Sequence, residues 1–321
     1  MYTKEELYER YNHKELAPVK WYRLPLYLYQ MLAKHFCYLF FGLGSVVLAL
    51  LVFPWIRVFV HPKEKFQVEA RKFVSASFRM FSNVMKGLGV LNLKAGDKSR
   101  WRNIHGKVIV ANHPSVLDFV FIMSLVPNAN CIVRSGLAKT VIGGVIRQCY
   151  IVNSLDFEEL CRLCKETIDK GNNVIIFPEG TRTPRHGKNP FKKGAARIAY
   201  YSKCDILPVL VGGNDKYGLG KHDPWFSYNH QEVYKYDFQM LPEIKISDYK
   251  DCSETIAAKR ITEKIEEVLL SAVKKNDEIY VTNRDKTEDC FLSDRKQFPA
   301  DFLFSSHSAS LFPNLLKIGK I

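Results

Sequence analysis

Residues 107–126, KVIVANHPSVLDFVFIMSLV, carry the clearest signal in the chain. Residues 107–111 form a short β-branched run bounded by polar residues, which reads as a buried strand. Pro114, suited to the first position of a helix, then opens a helical pattern over 114–126. Working outward, residues 131–134 (CIVR), 149–152, 173–177 (NVIIF) and 206–211 (ILPVLV) read as further strands. Helices near 137–147, 156–170 and 193–203 alternate with them, and a longer one is expected near 254–275. This is the βα alternation of an α/β domain, a largely parallel sheet flanked by helices.

Upstream, residues 65–88 place Phe66, Ala70, Phe73, Val74, Phe78, Phe81, Met85 and Leu88 at three- and four-residue steps, an amphipathic helix. Before it, residues 36–56 (FCYLFFGLGSVVLALLVFPWI) hold no charge over 21 positions. As a helix this run is about 31 Å long, enough for the hydrocarbon core of a bilayer. Trp21, Tyr22, Tyr27 and Tyr29 lie among Lys20, Arg23 and Lys34, a composition suited to lipid headgroups. The expectation is an N-terminal apolar membrane-anchoring helix or a two-helix hairpin lying in one leaflet. The alternative is a buried core helix. The organisation predicted is a membrane anchor over 1–60, an α/β domain over 61–275, and a tail over 276–321 of unassigned packing.

The chain has 47 Lys+Arg against 33 Asp+Glu, a net charge of +14, and the tail is close to neutral. The excess therefore belongs to the anchor and the α/β unit, where it suits phosphate-bearing partners. Nucleic acid is one such partner, but no binding motif for it is present and the uncharged run argues for a bilayer. Hydrophobic content of 47% excludes a disordered chain. Cys161 and Cys164 form the single C-x-x-C among eight cysteines, without the second pair that a zinc site needs. Free thiols in a reducing compartment follow. The His residues show no metal-ligand spacing, so no metal is expected.

Two segments carry chemistry. In 108–119, His113 falls at the expected helix N-cap, and Asp118 lies five residues on, about 140° around a regular helix. The two meet only if His113 folds back over the turn, where the carboxylate would fix the ring tautomer and leave the other nitrogen as a proton acceptor. A capping Asn-His-Pro turn is the alternative. In 173–183 (NVIIFPEGTRT) a strand stops at Pro178. Gly180 then permits close backbone approach, and Arg182 offers a fork of donors suited to phosphate. Arg185, Lys188, Lys192 and Lys193 follow, and a solvated basic loop is the alternative.

Taken in order, Asn112-His113-Pro114-Ser115-Val116-Leu117-Asp118, Cys131-Ile132-Val133-Arg134, Phe177-Pro178-Glu179-Gly180-Thr181-Arg182, Phe191-Lys192-Lys193-Gly194 and Ile206-Leu207-Pro208-Val209 resemble the motif blocks of the glycerolipid acyltransferases. That family is typified by 1-acyl-glycerol-3-phosphate (lysophosphatidic acid) acyltransferase. The resemblance covers about residues 85–215. It implies that His113, oriented by Asp118, acts as general base on the free hydroxyl of a lysophospholipid, which attacks the thioester of acyl-CoA or acyl-ACP directly. It further implies that Arg182, helped by Arg134 or Lys193, holds the acceptor phosphate, and that Glu179, Gly180 and Thr181 shape that loop. No cofactor beyond the acyl donor is implied, and acyl carrier protein is an implied partner. Pro114 and Thr183 stand where the family often has a polar residue and Ser. That departure leaves another lyso-lipid, such as an amino-acid lipid, open as acceptor. A membrane location with the domain on the cytoplasmic face is expected, since thioester donors are made there.

Overall fold

The computed structural model describes residues 18–295 except Val141, Ser154, Leu155, His186 and Gly187, without the side chains of Lys63, Glu64, Arg134 and residues 281–295. The chain divides into two compact units at Asn276/Asp277. In the second, the described residues are helical.

The first unit begins with a helical run, α1 (Trp21–Phe59), which contains a π-helical turn at Leu48–Val52. Helices α2 (Lys63–Gly87), α3 (Lys98–Arg102), α4 (Asp118–Leu125), α5 (Gly143–Cys149), α6 (Phe157–Asp169), α7 (Gly194–Ser202) and α8 (Glu254–Arg295) follow. The strands are β1 (Leu91–Lys94), β2 (Val108–Ala111), β3 (Ala129–Arg134), β4 (Ile151–Asn153), β5 (Asn173–Ile176), β6 (Ile206–Gly213) and β7 (Tyr234–Met240). They form one sheet in the order β1-β7-β6-β2-β5-β3-β4. From β6 to β4 all neighbours are parallel, and β7 is antiparallel to β6.

Side chains alternate across a strand, so the central strands need apolar residues at every position. Ile109 and Ala111 face one core with Ile175 and Val209, against Phe121, Phe81 and Phe53 from the flanking helices. Val108 and Val110 face the other with Val174 and Ile206, against Cys164, Ala196 and Ile261. Fully burying one such Ile or Phe contributes about 1.5–3 kcal/mol.

The α/β class and the single apolar N-terminal helix agree with the sequence reading. α1 is one helical run over 39 residues, long enough to cross a bilayer core. One stripe of it (Ala33, Cys37, Leu48, Phe53, Ile56) joins the first core, while Leu39, Leu43, Leu50 and Leu51 remain exposed. α2 matches the amphipathic pattern except at Phe73, which is exposed.

Three differences stand out. Helix α4 starts at Asp118 rather than Pro114, so His113 is a loop residue and not the N-cap. The cause is local. The residue before a proline is disfavoured in the helical region, and the Asp118 carboxylate accepts from the Ser115 N–H, which holds 112–117 as a turn. Second, β1, β7 and α3 were not expected. Third, α8 runs on to Arg295, and the SLFPNLL segment of the tail lies outside the described residues.

Candidate functional site

Strands β2, β5 and β3 end side by side; the loops that leave β2 and β5 bring His113 and Glu179 to one edge of the sheet, where Arg134 closes β3. Crevices at the carboxyl ends of parallel strands are where α/β sheets bind ligands. The first loop is tied to β6 by Asn112, whose side chain donates to Val211 O (3.0 Å) and accepts from Val211 N (2.8 Å). This pair extends the β2–β6 ladder by one step and sets where His113 emerges.

His113 Nδ1 lies 2.9 Å from Asp118 Oδ2. Asp118 is fully buried and also accepts from Ser115 N (2.7 Å) and from the Ser115 hydroxyl. An ionised carboxylate only accepts, so Nδ1 carries the proton and Nε2 of a neutral ring is left as acceptor. The imidazole stacks on Phe177 with centroids 4.1 Å apart, and 19% of the His113 side chain is exposed. Ser115 gives its one proton to Asp118, so the Tyr236 hydroxyl, 2.6 Å away, donates to Ser115. Burial first, and the Asp118 charge second, push the Tyr236 phenol well above its ordinary range, which keeps that donor protonated.

The second loop locks onto the first. His113 N donates to the Thr183 hydroxyl (3.1 Å), and Thr183 N donates to His113 O (2.7 Å). The Thr183 hydroxyl in turn donates to Glu179, whose other oxygen accepts from Asn189 (2.8 Å). Burial raises the Glu179 carboxyl above its usual range, opposed by the Thr183 and Asn189 hydrogen bonds. Glu179 therefore braces the loop. Gly180 has φ +63°, and a Cβ there would meet Lys192 Nζ at 2.8 Å. The positive φ is what requires glycine, since the flexible Lys192 side chain can move aside.

Arg182 sends one guanidinium nitrogen to Leu219 O (3.1 Å) and Gly220 O (2.7 Å), and Val116 N donates to the same Leu219 O (3.0 Å). The loop after β6 thus becomes a third wall. Lys34 of α1, almost fully buried, reaches the same wall, donating to Gly218 O (3.2 Å), Trp225 O (3.1 Å) and Ser227 O. The apolar helix and the His113 loop are therefore fastened to one segment. Beside Arg182, burial together with Lys221 and Arg182 lowers His222, which favours its neutral form.

Of the residues singled out in the sequence, the structure joins His113 with Asp118, and Glu179 with His113 through Thr183. Gly180 and Arg182 border them. Thr181 is half-buried in the same turn. Arg134 ends β3 at the same sheet edge, its side chain outside the described part. Lys193 is exposed at the start of α7, and among the described residues no side-chain hydrogen bond or ion pair joins it to the cluster. Sequence reasoning missed Tyr236, Asn189 and Lys34. The block spacing gives no signal for them: the partners of Tyr236 and Lys34 are more than a hundred residues away, and Asn189, though close in sequence to Glu179 and Arg182, lies outside the motif blocks. The described residues contain no cluster of His, Cys, Asp and Glu able to hold a metal.

The segment built around this site, residues 92–212, matches the model of a family described as Acyltransferase. More particularly, the chain is 29% identical over 186 residues to the chloroplastic 1-acyl-sn-glycerol-3-phosphate acyltransferase BAT2 of Brassica napus, covering 54% of this chain and 52% of that protein. It is 33% identical over 117 residues to a 1-acyl-sn-glycerol-3-phosphate acyltransferase of Helicobacter pylori, covering 33% of this chain and 48% of the other. The chain spans about half the length of the curated relatives it matches. The crystal structure of the 1-acyl-sn-glycerophosphate (LPA) acyltransferase PlsC from Thermotoga maritima shares the fold, with a TM-score of 0.55 at 19% identity over 77% of this chain and 95% of that one. The resemblance read from the motif blocks is borne out.

Proposed function

We propose that the protein is a membrane-associated O-acyltransferase. It moves a fatty acyl group from a thioester donor, acyl-CoA or acyl-ACP, to the free hydroxyl of a lysophospholipid, with 1-acyl-glycerol-3-phosphate as acceptor and phosphatidic acid as product. The observation that carries this reading is the buried Asp118 carboxylate 2.9 Å from His113 Nδ1, which leaves Nε2 as the proton acceptor. Nε2 takes the hydroxyl proton as the acceptor oxygen attacks the thioester carbonyl, and Asp118 stabilises the imidazolium. Collapse of the tetrahedral intermediate expels the thiolate, which takes the proton back from His113. No acyl-enzyme forms.

Arg182, helped by Arg134 or Lys193, holds the acceptor phosphate. Since one Arg182 nitrogen already supports the 219–220 carbonyls, the same guanidinium sets the wall and meets the ligand. Arg182→Ala should raise KM for a phosphate-bearing acceptor about tenfold or more, because a charge-assisted hydrogen bond is typically worth about 1.5–3 kcal/mol. Equal losses with an acceptor lacking phosphate would assign Arg182 to the loop alone. Assaying purified protein with a panel of lysolipids, an amino-acid lyso-lipid among them, and both donors tests the substrate assignment.

Residues 1–60 are proposed as the anchor, 61–275 as the catalytic domain, on the cytoplasmic face, and 276–321 as a tail. Leu39, Leu43 and Leu50 are each more than half exposed on α1, which supports contact with lipid. Replacing all three with Glu should abolish sedimentation with liposomes while the fold persists, since none of the three is part of the core. Unchanged sedimentation would remove α1 from the bilayer. Deleting 1–60 is the poorer test, because Phe53, Ile56 and Lys34 go with it.

A further inference from the structure

At the end of the sheet opposite His113, edge strand β4 covers only part of its neighbour. Ile151–Asn153 pairs with Ile132–Arg134, whereas Ala129–Cys131 pairs with β5 on the inner side. Among the described residues no strand lies on the outer side of Ala129–Cys131. Between α2 and α6 this notch opens into a cavity of about 680 Å³.

Two polar groups are buried in its wall without a partner. Arg71 Nε and the Tyr150 hydroxyl have no hydrogen-bond partner among the described residues, and the two residues are only 6% and 9% exposed. The carboxylates that line the cavity are engaged elsewhere: Glu69 pairs with Lys72, and Glu166 with Arg162. Lys65 and Lys170 also line it, adding positive charge. A guanidinium kept mostly out of water, with no carboxylate paired to it among the described residues, is a costly arrangement, and so is an unmade hydrogen bond from a buried phenol. Burial pulls Arg71 below its ordinary value and pushes the Tyr150 phenol well above its own. The phenol is therefore a neutral O–H donor, beside the N–H donors of the guanidinium.

We propose that this notch is a second anion site, which takes a phosphate group through Arg71 and Tyr150. It is separate from the site around His113. That residue follows the C-terminal end of β2, whereas Asn172 precedes β5 and Asn130 lies near the start of β3. The cavity is larger than a bare phosphate needs, so the group carries a substituent. Val60, the residue after α1, is part of the wall. A phospholipid headgroup at the bilayer surface and a soluble phosphate ester are both within reach of this chemistry.

The test uses the full chain in detergent micelles, with thermal unfolding followed as inorganic phosphate is added at constant ionic strength. The unfolding midpoint of the wild type should rise saturably. Arg71→Met should weaken that response about tenfold or more, the usual cost of a lost charge-assisted hydrogen bond. Arg182→Ala should keep the response, which separates this site from the one at the other end of the sheet, where Arg182 is proposed to hold phosphate. Tyr150→Phe, which removes a single oxygen, supplies the same comparison should Arg71→Met fail to fold. A parallel arm measures partition onto phosphatidylcholine vesicles with and without phosphatidylglycerol. A preference for phosphatidylglycerol that is lost in the variants identifies a lipid headgroup as the source, and a response to inorganic phosphate alone identifies a soluble one. If wild type and both variants behave alike in both arms, the site does not exist.

Discussion

His113→Ala is expected to reduce acyl transfer about 10²–10⁴-fold, the usual effect of losing a general base. The fold should survive, because the bonds that tie this residue to the neighbouring loop come from its main chain. His113 N still reaches Thr183, and His113 O still accepts from Thr183 N. Asp118 keeps two of its three donors, Ser115 N and the Ser115 hydroxyl. What is lost is the ring stacked on Phe177 and its Nε2. Turnover above about a tenth of wild type would place the base elsewhere, since no general-base role is compatible with so small a loss.

Asp118→Asn should lower the rate by a similar factor, about 10²–10⁴-fold, with the protein still folded. The amide has one acceptor where the carboxylate had two. If its NH2 faces His113, Nδ1 becomes the acceptor, Nε2 carries the proton, and the ring has no basic nitrogen toward substrate. If its oxygen faces His113, the tautomer survives but the charge that stabilises the imidazolium is gone, and the Ser115 hydroxyl must turn from donor to acceptor. Either arrangement slows proton transfer. A near-normal rate across the pH range would show that Asp118 packs and caps without tuning His113.

Much of this site was legible in the sequence because the chemistry sits where strands end. The apolar runs that became β2, β3, β5 and β6 are short, β-branched and buried on both faces, and their ends coincide with His113, Arg134, Glu179 and the loop after β6. The start of α4 was misplaced because Pro114 is compatible with both a helix N1 and a turn. The deciding term, Ser115 N to the Asp118 carboxylate, is a side-chain contact. β7 carries a period-2 pattern in YKYDFQM, but with Lys235, Asp237 and Gln239 at alternate positions it lacks the apolar run that marks the other strands, so the sequence alone leaves it unassigned. Only its pairing with β6 and β1 reveals it as a strand. Lys34 was taken as part of a basic flank. Its burial depends on carbonyls nearly two hundred residues away, which no local pattern encodes.

The acyl-transfer account makes one demand that rival readings do not, namely that thioester cleavage requires the acceptor hydroxyl. Free thiol should therefore be followed with purified wild-type protein and acyl-CoA, with and without 1-acyl-glycerol-3-phosphate, alongside mass spectrometry of lipid and protein. The account predicts that thiol and phosphatidic acid appear one for one, that release without acceptor is negligible, and that the protein carries no acyl adduct. Equal thiol release in the absence of acceptor, or an acylated protein that forms and discharges at the rate of turnover, would contradict it.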